Sequence, residues 1–492
     1  MLPGHPVLFK STCYVDGRWI HSDSAATVAV VNPADQAVIG HVPMLERAQI
    51  VGAVDAAQRA FGTWRWTPQD VRSAALSRWH ALILRHLDDL AALLSLEQGK
   101  PLAESRGEIR YAASFIEWFA NEAKRVAGRT IPTHIDGAHL GTVMEPVGVA
   151  ALITPWNFPA AMITRKAAAA IAVGCTVVVK PAHETPFSAL ALAQLADEAG
   201  FPAGVFNVVL GEPQMAMETL VGDARVRAVS FTGSTRVGRL VTETAAKAGI
   251  RKIALELGGN APFIVTADAN LEQAVRIAVG AKFQTSGQDC CAANRIFVAR
   301  PLYEAFVSRY ANAVRELKTG PAFEPDVDVG PLMHQAAFEA TVARVDDARA
   351  GGARIVAGGR PHTLGGWFYE PTVIADAAPG MRVYDEENFA PISAVCAFDT
   401  LDEAVDKAND TEYGLAAYVC ATRIDTIFQL VRRLEFAMVS VNGVKFTGAP
   451  IPFGGMKASG LGREGGAEGF EPFTETKYFC LGNLGLPVAA TA

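Results

Sequence analysis

Short apolar runs alternate with helical segments of about a dozen residues from position 147 onward, and this rhythm constrains the fold more than any other feature. The first runs are VGVAALIT, TVVVK, GVFNVVL, VRAVSFTG and KIALELGG, and segments such as FSALALAQLADEAG and TRVGRLVTETAAKAG separate them. Strands that are apolar along their whole length are buried on both faces, which is typical of parallel sheets covered by helices. The alternation therefore predicts an α/β fold with a doubly wound parallel sheet.

A second alternating series runs from about residue 260 to 445, with runs such as APFIV, RIFVA, YEPTVI and LAAYVC. Because 492 residues are enough for two or more domains, two doubly wound α/β domains in tandem are the simplest interpretation. Residues 45–126 carry apolar side chains at helical spacing and predict amphipathic helices. HIDGAHLGTVMEP (134–146) and FEPFTETKYFCLGNL (470–484) alternate polar and apolar residues. They predict a small added sheet, formed with each other or with another subunit.

Charge and hydropathy exclude several classes of protein. The net charge is −7 and no block of Lys or Arg occurs, so binding to nucleic acid has no electrostatic support. The most apolar stretch, Ala167–Val179, is shorter than the roughly 20 residues needed to span a bilayer. The amino-terminal sequence lacks a basic region followed by an apolar run, as a signal peptide would have. We therefore expect a cytoplasmic protein with neither membrane nor nucleic-acid partners.

The seven cysteines are scattered, at positions 13, 175, 290, 291, 396, 420 and 480. Their number is odd and no C-x-x-C pair occurs, so the sequence predicts neither a disulfide framework nor a metal site. Cys290 and Cys291 can close only a strained ring, because neighbouring Cα atoms are about 3.8 Å apart. Since Cys290 follows the polar run TSGQD, we expect it on an exposed loop entering a helix, where a thiol pKa is lowered. A nucleophile and a small apolar residue both remain open interpretations.

Four other short stretches could carry chemistry. SFTGSTRVG (230–238) opens a helix whose free N–H groups suit an anion, unless it is only a helix N-cap. Lys180 ends a buried strand, where ligands of open parallel sheets bind, unless it is merely solvated there. Glu256 leaves a strand beside a Gly-Gly pair that allows close approach, and is a candidate general base or a helix cap. Asn157, in the rigid turn TPWNFP, could donate to an oxyanion.

Seven motifs follow one another along the chain: TPWNFP, KPAHETP, FTGSTRVG, LELGGNAPF, SGQDC, EENFAP and PFGGMKASGLGRE. In order and spacing they resemble the aldehyde dehydrogenase superfamily, and the resemblance covers nearly the whole chain. Within it, the segment PWNFPAAMITRKAAAAIAVGCTVVVKPA is most similar to succinate-semialdehyde dehydrogenases. The resemblance implies a dinucleotide-binding domain (1–124 and 147–258), a catalytic domain (259–458) and a β oligomerisation extension (125–146 and 470–492). It also implies a homodimer or homotetramer built through the terminal strand.

The resemblance implies a mechanism that uses residues already singled out. Cys290 would attack the aldehyde as a thiolate, and the Asn157 amide with the Cys290 backbone N–H would hold the resulting oxyanion. After hydride transfer to a nicotinamide, Glu256 would act as general base for the water that hydrolyses the thioester. Lys166 and Glu475 match positions that in relatives form a proton path away from this base.

Further positions match residues that contact the dinucleotide in relatives. They are Trp156, Lys180, Gly233, Ser234, Leu257, Glu387 and Phe389. His183 stands where NAD-preferring relatives often carry a Glu that binds the adenosine ribose hydroxyls. Because a 2′-phosphate is then not repelled, we predict NAD or NADP as cofactor, with NADP accepted and its preference over NAD left open. Glu184 would restore the repulsion if its side chain turned inward.

The substrate pocket departs from the succinate-semialdehyde pattern at one position. Gln284 replaces an Arg that grips the distal carboxylate, while Arg165 matches the second Arg and Thr447 the Ser. Lys445, in a loop at the same mouth, could compensate. The resemblance implies oxidation of an aliphatic aldehyde, such as succinic semialdehyde or another ω-carboxylated semialdehyde, to the acid. An uncharged or aromatic aldehyde is the first alternative, and a catalytically silent binding or structural protein on the same scaffold is the second.

Two smaller departures concern the loops of the site. Ala390 replaces the usual Gly of the E-x-F-G-P motif, which is tolerable if φ is negative there. Some relatives carry a regulatory cysteine two residues after the catalytic one, where this chain has Ala292. We therefore expect Cys291 to pack inward rather than to regulate.

Overall fold

The computed structural model describes residues 8–482. Its strands are β1 (Cys13–Val15), β2 (Arg18–Ile20), β3 (Thr27–Val31), β4 (Val38–Pro43), β5 (Thr130–Ile131), β6 (His139–Pro146), β7 (Val149–Ile153), β8 (Thr176–Lys180), β9 (Phe206–Val208), β10 (Val226–Thr232), β11 (Lys252–Glu256), β12 (Ala261–Val265), β13 (Ala293–Ala299), β14 (Arg354–Ala357), β15 (Thr372–Ala375), β16 (Ile392–Phe398), β17 (Tyr413–Gly414), β18 (Ala416–Cys420), β19 (Met438–Val441), β20 (Met456–Lys457), β21 (Gly460–Leu461) and β22 (Thr474–Leu481). Its α-helices are α1 (Arg47–Trp64), α2 (Gln69–Arg85), α3 (Leu87–Gln98), α4 (Leu102–Glu122), α5 (Ala161–Val173), α6 (Pro186–Glu198), α7 (Pro213–Gly222), α8 (Thr235–Ala248), α9 (Leu271–Phe283), α10 (Tyr303–Arg315), α11 (Gln335–Ala350), α12 (Arg382–Asp385), α13 (Leu401–Asn409) and α14 (Ile424–Arg433).

The first large sheet has eight strands in the order β2-β1-β9-β8-β7-β10-β11-β21. Its five central strands run parallel, and α5 to α8 connect them one after another. The chain moves outward from β7 to β9 and then returns to place β10 on the other side of β7. Open parallel sheets bind ligands at the carboxyl ends of the strands where the order reverses in this way. The predicted doubly wound sheet is confirmed.

Helix α5 and strand β8 form the centre of this layer. All 13 residues of α5 are buried, since the helix lies between the sheet and the helices α2 and α4. Gly174 ends the helix in a left-handed conformation, and the strand TVVVK follows with every residue buried. A strand that is apolar on both faces needs a helical layer on each side, which explains why this run carries no alternation.

The second large sheet has seven strands in the order β14-β15-β16-β13-β12-β18-β19, parallel except for β14 at one edge. Its order also reverses, between β12 and β18, so the second predicted doubly wound sheet is confirmed. The loops that precede β12 and β13 approach each other closely: a Cβ at Gly259, before β12, would lie 2.3 Å from the carbonyl oxygen of Cys290, before β13. The predicted close approach at the Gly-Gly pair is therefore observed.

The small third sheet has the order β22-β6-β5. Strand β22 pairs antiparallel with β6 along its whole length, from Thr474↔Pro146 to Leu481↔His139. The two alternating segments thus pair with each other, which was one of the two predicted possibilities. The division of the chain into domains at the boundaries given above stays a prediction, and residues 483–492 of the extension lie outside the described residues.

Some elements were not predicted. The first sheet gains antiparallel strands at both edges, β1 and β2 on one side and β21 on the other. The long helical pattern from Ser73 to Lys100 is divided into two helices at His86, whose φ and ψ of −102° and 23° are not helical. Among residues 8–482, no helix combines the length and the apolarity that crossing a membrane requires.

A buried ion pair links α4 to the start of α5. Glu108 accepts a hydrogen bond of 2.6 Å from Lys100 Nζ, which also donates to the carbonyl oxygen of Asn157 at 2.7 Å. The other carboxylate oxygen of Glu108 accepts the backbone N–H groups of Ala160 and Ala161, at 3.0 and 3.3 Å. The carboxylate therefore satisfies otherwise unpaired donors at the amino end of α5.

The substitution Glu108→Ala is expected to lower the free energy of unfolding by about 3–5 kcal/mol, because it leaves the buried Lys100 charge uncompensated. Chemical denaturation monitored by circular dichroism measures the change. Glu117→Ala, on the exposed face of the same helix, is the matched control and should cost less than about 0.5 kcal/mol. Equal losses in the two variants would contradict a special role for the buried pair.

Candidate active site

A cavity of about 1180 Å³ lies where the two large sheets meet. The residues predicted from the sequence that line it are Trp156, Asn157, Arg165, Gly233, Ser234, Glu256, Leu257, Gln284, Cys290, Glu387, Phe389, Lys445 and Thr447. Among the described residues predicted to belong to the site, those outside its lining are Lys166, Lys180, His183 and Glu475. The fold thus brings together in one space most of the side chains that were singled out one motif at a time.

The loop that carries Cys290 has an unusual backbone. Thr285 and Ser286 both have a positive φ, 50° and 56°, which is rare for residues other than glycine. The Glu104 carboxylate on α4 accepts the Thr285 N–H at 3.0 and 3.2 Å, and the Ser286 hydroxyl donates to the Gly330 carbonyl at 3.0 Å. Sequence reasoning missed Glu104, because its partner is 181 residues away. These contacts hold the loop against its backbone strain.

The environment of Cys290 differs from the expectation. Cys290 lies in a turn that leads into strand β13, not into a helix, so no helix N-terminus lowers its pKa. A hydrogen bond with Cys291, burial and the negative charge of Glu256 raise the pKa of the Cys290 thiol well above its usual range. The surroundings of Cys290 therefore raise its pKa rather than lower it as expected, and a nucleophilic Cys290 needs a base to take its proton.

Cys291 is buried and lies in the apolar core of the second sheet, so its predicted inward packing is confirmed. Its N–H donates to the Asp289 carboxylate at 2.9 Å, and its carbonyl accepts the Tyr418 hydroxyl at 2.9 Å. Its thiol nevertheless contacts that of Cys290 and lines the same cavity. The Cys291 side chain therefore packs in the core and also borders the cavity.

Glu256 ends strand β11 and is 2% exposed. Burial raises the pKa of this carboxyl to about 7, while the positive charge of Arg165 opposes that rise. One carboxylate oxygen has no hydrogen-bond partner among residues 8–482. A buried carboxylate with a free oxygen and a pKa near neutrality, next to a thiol, has the properties of a general base.

The carboxylate that contacts Lys166 is Glu464, not Glu475. Lys166 is fully buried, and its ammonium contacts Glu464 and donates to the Thr232 hydroxyl at 2.6 Å. Glu475 lies on the exposed face of β22, with a side chain 62% exposed and 3.5 Å from Lys252. The sequence prediction for Glu475 is therefore wrong, although Glu464 stands at the end of the quoted motif PFGGMKASGLGRE.

Asn157 lies in the turn between β7 and α5 and is 6% exposed. Its side-chain amide donates to the Gln288 carbonyl at 3.0 Å, which places it against the loop that carries Cys290. An amide nitrogen has two hydrogens, so one remains to donate into the cavity. The predicted position for binding an oxyanion agrees with this geometry.

Several residues around the cavity fit the nicotinamide end of a dinucleotide. Ser234 caps the amino terminus of α8, which directs free N–H groups and a positive dipole toward the cavity. Glu387 accepts the Gly259 N–H at 2.8 Å, and the Trp156 and Phe389 rings meet edge-on at 5.5 Å. The free N–H groups of α8 can bind an anion, and the Glu387 carboxylate can bind ribose hydroxyls. The Trp156 and Phe389 rings can bind a flat ring.

The residues predicted to meet the adenosine end lie farther out. Lys180 ends β8 and is 7% exposed, and its ammonium lies 3.4 Å from the Pro181 carbonyl. His183 is half-exposed, with Nδ1 at 3.5 Å from the Glu184 carboxylate. Burial lowers the pKa of the Lys180 ammonium, and the negative charge of Glu184 opposes this shift, so Glu184 lies within electrostatic reach of Lys180.

The cavity is lined by the buried cations Arg165 and Lys100, and Lys100 is already paired with Glu108. Arg165 donates to Glu464 at 2.7 Å, and its guanidinium stacks over Phe453 at 4.1 Å. Its Nη1 has no partner among residues 8–482. Gln284, by contrast, is exposed at the mouth, as are Lys445 and Thr447. Arg165 is therefore the cation placed to meet a substrate deep in the cavity.

Two further observations concern single positions. Tyr111, on α4, lines the cavity beside Arg165 and Thr447 and was not predicted, because in the sequence it is one more helical aromatic. Ala390 is 1% exposed and is not among the positive-φ residues of the described chain, whereas its neighbour Phe389 is, with φ 45°. The alanine that replaces the expected glycine is thus accommodated, as predicted.

Comparison with known proteins agrees with the geometry. The profile of the Aldehyde dehydrogenase family matches residues 19–479. The chain belongs to the aldehyde dehydrogenase family. The prediction of an NAD(P)-dependent aldehyde dehydrogenase is confirmed, and this dehydrogenase has both of the predicted doubly wound sheets.

Individual relatives are similar over nearly their full length. The dehydrogenase is 55% identical to an aspartate-semialdehyde dehydrogenase (non-phosphorylating) of Halomonas elongata, with 97% of each chain covered. It is 46% identical to a succinate-semialdehyde dehydrogenase [NADP(+)] of Escherichia coli, covering 96% of this chain and 98% of the other. Among solved structures, succinate-semialdehyde dehydrogenase from Burkholderia pseudomallei matches with a TM-score of 0.96 at 46% identity, covering 97% and 99% of the two chains.

Proposed function

We propose that the enzyme oxidises a semialdehyde with a distal carboxylate, such as succinic semialdehyde, to the corresponding dicarboxylic acid, using NAD(P)⁺. The observation that carries this proposal is the unpartnered, buried Nη1 of Arg165 in the cavity that also contains Cys290. A buried guanidinium nitrogen without a partner is costly unless a ligand pairs with it. A carboxylate is the natural partner, since it binds guanidinium through short, charge-assisted hydrogen bonds. Relatives named as succinate- and glutarate-semialdehyde dehydrogenases support the same substrate class.

The first step is the attack of Cys290 on the aldehyde carbon. Glu256 takes the thiol proton, which its pKa of about 7 permits, and a bond forms between Sγ and the carbonyl carbon. The remaining amide hydrogen of Asn157 and the Cys290 N–H stabilise the negative oxygen of the thiohemiacetal. Trp156, Glu387 and Phe389 would hold a nicotinamide, which would supply the hydride acceptor for oxidation of this carbon to a thioester on Cys290.

The second step is hydrolysis of the thioester. Glu256 removes a proton from water, whose oxygen attacks the thioester carbon and displaces the Cys290 sulfur as the acid forms. Lys166 and Glu464 lie behind Glu256 and bias its charge, in opposite directions. We propose that this buried pair keeps Glu256 able to release its proton between turnovers.

A kinetic panel of aldehydes, run with NAD⁺ and NADP⁺ in parallel, tests the proposed function. Succinic semialdehyde is expected to exceed butanal, a neutral aldehyde of like length, in kcat/KM by about tenfold or more, the worth of one charge-assisted contact. Equal values for the two would reject the carboxylate assignment and favour the uncharged alternative. Absence of reduced cofactor with every aldehyde of the panel would reject the proposed reaction.

A second candidate substrate carries an α-amino group beside the distal carboxylate, as aspartate semialdehyde does. Gln284 favours it, because an uncharged amide at the mouth does not repel an ammonium group and its oxygen can accept a hydrogen bond. Glu104 also lines the cavity and adds a negative charge above its pKa, which burial raises to about 7. The Halomonas elongata relative, named for this substrate, supports the candidate.

The substitution His183→Glu is expected to lower kcat/KM for NADP⁺ by about tenfold, roughly 1.4 kcal/mol, while that for NAD⁺ changes little. A second carboxylate beside Glu184 repels the 2′-phosphate, which only NADP⁺ carries. Initial rates at varied cofactor concentration measure the effect. His183→Gln, which adds no charge, is the control, and an unchanged NADP⁺ value in the Glu variant would contradict the proposed position of the phosphate.

We propose that the enzyme forms a homodimer or homotetramer through strand β22. This strand is at the edge of its sheet and exposes Tyr478, Phe479 and Leu481. An exposed apolar edge strand is a ready template for pairing with another chain. Light scattering coupled to gel filtration should give two or four times the monomer mass, and a monomer would contradict the proposal. A cytoplasmic location stays a prediction.

A further inference from the structure

Three potential metal ligands meet at one end of the cavity. Within residues 8–482, the carboxylate of Asp289 and the thiols of Cys290 and Cys291 are the one group of three such side chains found together, with all ligand atoms within 4.8 Å of one another. All three residues also line the cavity of about 1180 Å³, so a small solute can reach them. The proposed reaction uses only the thiol of Cys290 and leaves the other two groups without a role.

The backbone holds these groups on the same side of the turn. The Asp289 carboxylate accepts the Cys291 N–H at 2.9 Å, which brings the first and third residues of the group together. The Tyr418 hydroxyl donates to the Cys291 carbonyl at 2.9 Å and so fixes the backbone at the third residue. A site whose ligands are already gathered costs little rearrangement when an ion binds.

The arrangement agrees with the demands of a tetrahedral thiophilic ion. Zinc binds thiolate sulfur at about 2.3 Å and carboxylate oxygen at about 2.0–2.2 Å, so two of its ligands lie roughly 3.7 Å apart. Side-chain movements of roughly 1 Å would bring the three atoms to that spacing. Two sulfurs and one oxygen favour Zn²⁺ or Cd²⁺ over Mg²⁺ and Ca²⁺, which prefer oxygen ligands alone.

We propose that Asp289, Cys290 and Cys291 form an inhibitory binding site for a thiophilic divalent cation such as Zn²⁺. Binding replaces the two S–H bonds by two metal–sulfur bonds and releases two protons to solvent, with water in the fourth position. The ion is not a resident cofactor, since it occupies the sulfur that attacks the aldehyde. Inhibition rests on the proposed function of Cys290, whereas binding of the ion does not.

Inhibition is tested by adding ZnCl₂, as the only divalent metal salt, to the activity assay with aldehyde and cofactor. We expect Zn²⁺ to compete with the aldehyde and EDTA to restore activity. Cys291→Ser should raise the apparent inhibition constant at least about tenfold, since even substitutions around the ligands of a metal have effects of that size. Cys480→Ser, which removes the exposed thiol on β22, is the matched control and should be inhibited like the wild type.

Binding is measured separately with Cd²⁺, whose bonds to thiolates absorb in the ultraviolet. The wild type should show an absorption with the intensity of two Cd–S bonds, and Cys291→Ser and Cys291→Ala should each show about half of it. If the folded wild type shows this Cd–S absorption but no dehydrogenase activity with any aldehyde of the panel, the binding site is supported and only the proposed function is rejected. Equal inhibition constants and equal absorption in the wild type and both Cys291 variants would overturn the proposal.

Discussion

Glu256→Gln is expected to lower steady-state kcat by about a hundredfold to ten-thousandfold, the usual contribution of a general base. The effect is large because this carboxylate serves twice, first for the thiol of Cys290 and then for the hydrolytic water. The raised pKa of Cys290 strengthens the expectation, since the thiol does not ionise unaided near neutral pH. Stopped-flow measurement of reduced cofactor should show neither a normal burst nor a normal steady rate.

The pH dependence supplies an independent measurement of the same group. A base must be ionised to accept a proton, and burial raises the pKa of Glu256 to about 7. The rate of the wild type should therefore rise with pH through about 7 and fall as pH drops below it. Burial raises the pKa of Glu104 and Glu387 to about 7 as well, so only the variant can assign the inflection. An unchanged inflection in Glu256→Gln would assign it to another carboxyl.

Glu475→Gln is the matched control for this experiment. The sequence predicted a catalytic function for Glu475, whereas the structure places it exposed on β22 and places Glu464 against Lys166. The control variant should keep the wild-type kcat and the wild-type pH profile. A loss comparable to that of Glu256→Gln would restore the sequence prediction and contradict the assignment to Glu464.

The difference between Glu464 and Glu475 shows where sequence reasoning ends. Both glutamates lie in the last fifth of the chain, and local pattern does not tell which one reaches the site. Strand β21 determines which glutamate reaches the site. Its Gly460 pairs with Glu256 at the end of β11, so the residues that follow, including Glu464, lie next to the first sheet. Such a contact joins positions more than 200 residues apart, and no local signal encodes it.

The parts of the fold that were predicted rest on local physics. Runs such as TVVVK must be buried on both faces, and the helices between them follow from their apolar spacing, so both doubly wound sheets were predictable. The way in which the sheets meet was not. The error at Cys290 has this origin: the residue was predicted to begin a helix, but it leads into β13, at the amino end of the second sheet.

Gln284→Arg is expected to shift the preference between the two candidate substrates toward succinic semialdehyde. A guanidinium at the mouth adds a second charge-assisted contact to a distal carboxylate, and it repels an ammonium group at the same place. Because position 284 is exposed, solvent reduces the gain to about tenfold in kcat/KM for succinic semialdehyde. For aspartate semialdehyde the attraction of the carboxylate and the repulsion of the neighbouring ammonium oppose each other, so its kcat/KM should change little. Parallel initial-rate measurements with both substrates give the ratio, which should change about tenfold.

Gln284→Met separates charge from shape in this experiment, because methionine has a similar length and no charge. The kcat/KM for succinic semialdehyde should hardly change, because its carboxylate still binds Arg165. The kcat/KM for aspartate semialdehyde should fall, because its ammonium group no longer donates to the amide oxygen of Gln284. If Gln284→Arg moved both substrates in the same direction, the side chain at 284 would not discriminate at the distal end. Selection would then belong to the buried Arg165 and the partly buried Tyr111, whose positions depend on α5 and α4 rather than on the exposed mouth.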